Sequence, residues 1–258
     1  MKKSVQRALA ASAAALGACA LLAPTAAAAS PKVNESEFIA QVTAYANEHP
    51  ADVEGFQELV RQLGGTSTAS SQTLRLDEVP GLDPSTLQVG GVTTLGNFPS
   101  DVFTVNIVSG SVGATKIVTG SFNWRNNFAG QAAPLDFAAL RFSSGCGTMT
   151  GHTSATKNLR GVSTNRATLR SAGVGTNAPI WNVNATTSGF ENQADVGAFT
   201  VKYNTTGCGT KKVQAAFDYE ANQGGSVISV GAGWGGLSVS YNGVGLELTK
   251  SSNAITIN

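Results

Sequence analysis

The sequence predicts a mainly β protein, an antiparallel sandwich or barrel built from two duplicated units plus a C-terminal meander, preceded by a short N-terminal helical segment. Three observations predict it. Apolar residues recur at helical spacing as far as residue 63; beyond it, short runs rich in Val, Ile, Thr and aromatics alternate with Gly and Asn. Charged residues make up only 13% of the 258 positions, about half the usual share of roughly 25%, while hydrophobic residues reach 41% and Gly numbers 30. The chain also matches itself at an offset of 62 residues. This composition excludes a coiled coil, a collagen-like chain and a charge-rich disordered tail.

Residues 1–29 read as a secretory signal: Lys2, Lys3 and Arg7, an apolar run from Ala8 to Leu22, then Pro24 and small residues with cleavage expected after Ala29. A competing reading takes Leu16-Gly17-Ala18-Cys19 as a lipobox that would anchor a lipoprotein through Cys19, although Leu21-Leu22-Ala23 carries the apolar core past that cysteine. No later stretch reaches 18 apolar residues, so no transmembrane helix is expected. Removing Lys2, Lys3 and Arg7 leaves 14 basic against 16 acidic side chains, a net charge of about −2, which argues against a nucleic-acid binder. The charge is uneven. Residues 30–63 hold Glu35, Glu37, Glu48, Asp52, Glu54 and Glu58 against Lys32 and Arg61. Residues 137–190 hold no acid and five bases: Arg141, Lys157, Arg160, Arg166 and Arg170.

Segment 30–65 is the acidic helical segment and a candidate prosegment. Phe38, Val42 and Tyr45, then Val53, Phe56, Leu59, Val60 and Leu63, keep helical spacing. His49-Pro50 between them predicts a break into two helices, and Gly64-Gly65 ends the second. Residues 66–73, all Ser, Thr, Ala, Gln and the like, read as a flexible linker. The β domain then spans 74–258. Strands are expected near 102–109, 115–124, 136–143, 166–171, 179–185, 197–204, 212–219, 226–234, 237–241, 244–249 and 254–258. Asn242-Gly243 suits a type I′ hairpin, and Gly235-Gly236 shifts the apolar alternation by one residue, as a turn or bulge would.

The repeat spans about 105–148 and 167–210. Phe128, Gln131, Ala132, Phe137, Gly145, Cys146, Gly147 and Thr148 match Phe190, Gln193, Ala194, Phe199, Gly207, Cys208, Gly209 and Thr210. Such units tend to pack about a pseudo-two-fold axis, which brings equivalent positions together. Cys146 and Cys208 are equivalent, and in an exported chain they are expected to form a disulfide near that axis. It would close a loop of about 62 residues and stabilise the fold by up to roughly 4 kcal/mol.

Few residues suit acid–base chemistry. The two histidines are His49, at the helical break, and His152, in a Thr-Gly-His-Thr-Ser stretch that reads as a surface loop. No Gly-x-Ser-x-Gly elbow, His-Glu-x-x-His, P-loop or dinucleotide fingerprint is present, and no cofactor or metal is expected. Asp218 and Glu220 lie two apart, so they share one strand face, read as solvated, opposite Phe217 and Tyr219. Lys157, Arg160, Arg166 and Arg170 form a candidate anion-binding stretch near Trp181, on which the acidic helices are expected to dock. Trp124, Trp181 and Trp234 are expected to fill core. The function these features favour is a secreted, non-enzymatic extracellular binding protein, with an anionic or glycan surface as partner. The alternatives are a membrane-active pore former using the alternation of Ser226–Thr249 and a carbohydrate-directed hydrolase.

Overall fold

The computed structural model describes residues 33–78, 101–124, 136–143, 147–170, 178–184, 194–222, 226–234, 236–242 and 245–257. The export segment, Cys19 and Cys146 lie outside these residues.

Two helices come first, α1 (Glu35–Glu48) and α2 (Val53–Gln62), broken at the expected His49-Pro50. Each starts on a side-chain cap: Asn34 Oδ1 accepts the Glu37 N–H at 2.9 Å, and Asp52 Oδ1 accepts that of Gly55 at 3.0 Å. Thirteen strands follow: β1 (Thr66–Arg75), β2 (Asp101–Val112), β3 (Thr115–Trp124), β4 (Asp136–Phe142), β5 (Thr148–Lys157), β6 (Ala167–Leu169), β7 (Ile180–Val183), β8 (Val196–Asn204), β9 (Lys211–Asn222), β10 (Ser226–Gly233), β11 (Gly236–Asn242), β12 (Gly245–Ser251) and β13 (Ile255–Ile257). All pairings are antiparallel. One sheet runs β1-β2-β3-β8-β5; the other runs β12-β9-β4-β7-β6, with β13 also on β9. The sheets stay open and stack face to face, so the fold is a sandwich and not a closed barrel.

Between them lies an aromatic core. Phe122 stacks on Phe217 at 4.2 Å, Trp124 meets Tyr219 edge-on at 4.8 Å, and Trp181 tilts against Phe199 at 5.3 Å. The outer faces are covered too. The helices place Phe38, Val42, Phe56 and Val60 on Val108 and Ile117 of the first sheet. On the second sheet, β10 and β11 pair only with each other and lay Val230, Ala232, Leu237 and Val239 over Phe137, Ala139, Ile180 and Ala216. The result is four layers, helices, sheet, sheet and hairpin, and the alternation of Ser226–Thr249 is accounted for in part by this packing.

The 62-residue offset governs the pairing. In the first sheet β3 pairs β8, with Thr119 opposite Thr200 and Ser121 opposite Ala198. Moving forward 62 residues from β3 and back 62 from β8 gives Trp181 opposite Ala138 and Val183 opposite Asp136, the observed β7–β4 pairs of the second sheet. The same shift turns the order β2-β3-β8-β5 into β6-β7-β4-β9, as observed. Each sheet therefore holds the first, second and fourth strands of one repeat and takes its third strand from the other, so that β4 and β8 are exchanged between the sheets.

Five expectations change. Residues 66–73 are not a linker but most of β1, in unbroken register with β2 from Thr66–Ser111 to Leu74–Phe103. Hydroxyl contacts hold this edge: Thr66 to Ser111 at 2.8 Å, Thr68 to Ser109 at 3.0 Å and Thr73 to Thr104 at 2.9 Å. His152 is not in a loop but in β5, opposite Val201. Among the described residues β11 pairs β10 and β12 pairs β9, so the strands flanking Asn242-Gly243 do not form the expected hairpin with each other; the tight turn is at Trp234, where Gly233 pairs Gly236. Trp234 is accordingly exposed at a hairpin tip, whereas Trp124 and Trp181 are core. The helical segment is a layer packed on the first sheet mainly through apolar contacts, and not a charged cover of the whole basic stretch.

Candidate functional site

Successive residues of a strand point to opposite faces, so each strand has one inward-facing set. On β2 that set is Phe103, Val105, Ile107, Ser109 and Ser111; on β3 it is Lys116, Val118, Gly120, Phe122 and Trp124. On β1 the residues opposite the β2 set are Leu74, Gln72, Ser70, Thr68 and Thr66. β2 and β3 are apolar toward the middle of the sandwich and turn polar together at the end nearest the β2–β3 connection, beside the edge strand β1, which is polar from Gln72 onward. There Thr66, Thr68, Ser109, Ser111 and Lys116 stand where Val and Ile would continue the core.

These residues, with Ser67 and with Thr256 and Ile257 of β13, line an open cleft of about 720 Å³, solvent mouth included. The backbone of β13 closes one side, and Thr68 Oγ1 donates to the Thr256 carbonyl at 3.3 Å. On β8, Tyr203 pairs with Lys116 and stacks on Phe142 at 4.4 Å. Lys116 is 7% exposed, and its ammonium donates to the Gly113 carbonyl at 3.1 Å. Burial draws that ammonium below its ordinary pKa. Lys211, opposite Ile257 on β9, is buried and lowered in the same way, and its Nζ lies 5.8 Å from the Tyr203 ring centre. Burial also raises the Tyr203 phenol. The arrangement offers a row of hydroxyls, able to donate and accept, beside a buried cation.

The basic stretch is dispersed. Lys157 ends β5 and gives its ammonium to the Glu48 carbonyl at the end of α1, a cation at a helix C-terminus. This is the one point at which the helices meet the stretch among the described contacts. Arg160 sits exposed on the loop after β5. Arg166 precedes β6, its N–H donating to Thr156 Oγ1 at 2.7 Å. Arg170 belongs to the second sheet's edge, donating to Asn182 Oδ1 at 3.1 Å with its guanidinium 5.7 Å from the Phe137 ring centre. None of the four lines the cleft. Beside the loop lies Asp195, 1% exposed; its Oδ2 accepts the Leu159 N–H at 2.9 Å and burial raises its pKa.

Of the acidic pair, the side chain of Glu220 lies outside the described residues, and the reading of Asp218 is corrected. Asp218 is fully buried rather than solvated, because the outer face of the second sheet is covered; its Oδ2 accepts the Thr249 hydroxyl at 2.5 Å. His152 belongs to the other sheet, so these groups do not converge. Cys208 lies between β8 and β9. Lys116 and the hydroxyl row carry no motif in the sequence. The available signal was parity: Lys116, Val118, Phe122 and Trp124 fall on one face of one strand.

No family model matches the chain, and no curated protein matches its sequence. Solved structures resemble it at low similarity. The KRT10-binding region domain of the pneumococcal serine rich repeat protein PsrP is 15% identical, with a TM-score of 0.33 over 59% of this chain and 86% of that one. A structure from work on pH-induced modulation of Streptococcus parasanguinis adhesion by Fap1 fimbriae is 10% identical, with a TM-score of 0.29 over 75% and 94%. The C-terminal domain of the Streptococcus agalactiae AgI/II polypeptide BspA is 9% identical, with a TM-score of 0.26 over 58% and 57%. TM-scores this low assign no function.

Proposed function

We propose that the chain is an extracellular, non-enzymatic binding protein that takes a polar ligand into the cleft at the β2–β3 end of the sandwich. The observation that carries this reading is the switch of the inward-facing positions of β2 and β3 from apolar to hydroxyl and amine, beside the hydroxyls of β1, around a concave, open space. A cleft with a few convergent polar groups is where ligands are held. The export-type residues 1–29 support an extracellular location.

The test is a glycan-array screen of the mature chain beside a Thr68→Val/Ser111→Ala variant. Saccharide binding is expected in the parent and is expected to be lost in the variant, with the bound sugar recovered intact after long incubation. Binding that survives the variant would place the site elsewhere, and conversion of the sugar would make the protein an enzyme.

A further inference from the structure

Resting on the reading of the cleft as a binding site, we infer that its ligand is a carboxylate-bearing sugar, with the carboxylate on Lys116 Nζ and the ring hydroxyls on Thr66, Thr68, Ser109 and Ser111. Lys116 is the reason for the charge. An ammonium has three donors, and a single acceptor is recorded here, the Gly113 carbonyl at 3.1 Å. The described ion pairs join other residues, Arg61 with Glu58, Arg75 with Asp77 and Glu78, and Lys250 with Glu78. Glu35 reaches Thr115, whose side chain faces the opposite side of β3, toward the helices. An ammonium on a largely buried side chain is costly to hold without a counter-charge. A Val or Ile at this position would continue the core and avoid that cost. A ligand carboxylate entering the cleft supplies the missing charge and takes up the free donors in a charge-assisted contact.

The neighbours set the rest of the ligand. Hydroxyl side chains both donate and accept, which suits the vicinal hydroxyls of a pyranose. Ser109 and Ser111 repeat every second residue on β2, and Thr68 and Thr66 face them across the β1–β2 ladder, so the polar groups form a two-by-two patch beside the amine. A phosphate would be served better by a planar guanidinium or a nest of backbone N–H groups than by a lone ammonium among hydroxyls.

The experiment compares two probes of one ring shape, methyl β-D-glucuronide and methyl β-D-glucoside, titrated by calorimetry into the full mature chain and into Lys116→Met. The parent is expected to prefer the glucuronide by about tenfold or more, the scale of one charge-assisted contact. Lys116→Met is expected to erase that preference, bringing the ratio of the two affinities to about one. Met keeps the length of the stem and removes the buried charge, so the variant should fold; a melting curve verifies this, and Lys116→Gln serves as a second variant. Equal affinity for the two probes in the parent would overturn the acidic ligand while leaving the cleft as a neutral-sugar site. A preference that survives in Lys116→Met would overturn the role of Lys116, and tighter binding of inorganic phosphate than of the glucuronide would overturn the sugar. Failure of both sugars and of phosphate to bind would overturn this inference together with the binding reading beneath it.

Discussion

The phenol of Tyr45, on the last turn of α1, donates to Asp52 Oδ2 at 2.6 Å, while Oδ1 of the same carboxylate caps α2. One carboxylate thus fixes the angle between the helices that cover the first sheet. Burial, followed by the hydrogen bond to Asp52, pushes the Tyr45 phenol up to about 12, and the same hydrogen bond lowers the Asp52 carboxyl. Gly55 makes room for the contact: a Cβ there would lie 1.8 Å from Tyr45 Oη and 2.5 Å from Asp52 Oδ2. Gly55→Ala is therefore expected to destabilise by about 1–2 kcal/mol, although Ala is the better helix former by roughly 1 kcal/mol. Gly55→Ala combined with Tyr45→Phe should cost less than the two changes added. Chemical denaturation of the four proteins reads this out, and simple additivity would dissociate Gly55 from the contact.

The helical layer is expected to be indispensable. Phe56 is 2% exposed against Val108 and Ile117, and Phe56→Ala should cost about 3–5 kcal/mol. Deleting residues 30–65 should lower the melting temperature and create a dye-binding apolar face on β2 and β3. A truncated chain that melts like the parent and binds no apolar dye would restore a removable prosegment.

How much of this was legible in the sequence varies by element, for physical reasons. β3 is read at its true limits because Ile117, Val118, Phe122 and Trp124 declare a buried strand. β1 and β5 escaped because they are the edges of the first sheet, and edges need no alternating apolar residues. Their Ser and Thr side chains look like linker composition, yet they make cross-strand hydroxyl contacts such as Thr73 to Thr104. Asn242-Gly243 misled because local turn preference was overridden by packing, which sends β11 to the hairpin and β12 to β9. The offset repeat was visible in the residues, but the exchange of β4 and β8 between the sheets was not, since pairing partners lie about 70–90 residues apart. Lys116 was hidden for a different reason: a single charge at the start of a strand says nothing about where the sheet ends.

Gly197 faces inward on β8, where a Cβ would lie 2.5 Å from the Phe122 ring. That ring is held on both sides, stacked at 4.2 Å on Phe217 and at 5.8 Å on Phe199, so it has little room to yield. Gly197→Ala should cost about 1–3 kcal/mol by overpacking. Gly233→Ala, which meets nothing within 4 Å, is the control and should be near neutral. Equal melting temperatures for both variants would show that the core relaxes freely around Phe122.

The pairing of Cys146 with Cys208 is a proposal that peptide mapping decides. Thr148 lies opposite Asn204, and Gly147 approaches Asn204 closely enough that a Cβ would sit 2.8 Å from its carbonyl. The strand entry after Cys146 therefore runs beside the turn that holds Cys208. A non-reduced digest should contain one linked pair of peptides, and Cys146→Ser/Cys208→Ser should lower stability by up to about 4 kcal/mol. Two peptides that alkylate without reduction would refute the bridge.

The last prediction concerns pH. Burial lowers the Lys116 pKa, so the folded chain gives up this proton before the unfolded chain does, whose lysine titrates near its ordinary value of roughly 10.4. Between the lowered and the ordinary pKa the unfolded state binds more protons, and stability must rise with pH. Below the lowered value the burial penalty is present in full. Lys211 on β9 contributes with the same sign, while Tyr203 on β8 keeps its proton longer when folded and opposes the trend above about pH 10. Denaturation curves of the unliganded parent and of Lys116→Met between about pH 7 and 10 isolate the Lys116 share, because the other two groups are common to both. Lys116→Met should be the more stable protein at pH 7, and the gap should close as pH rises. A gap that is constant across the range would mean that the ammonium is already solvated, and that its inward position carries no electrostatic cost for a ligand to relieve.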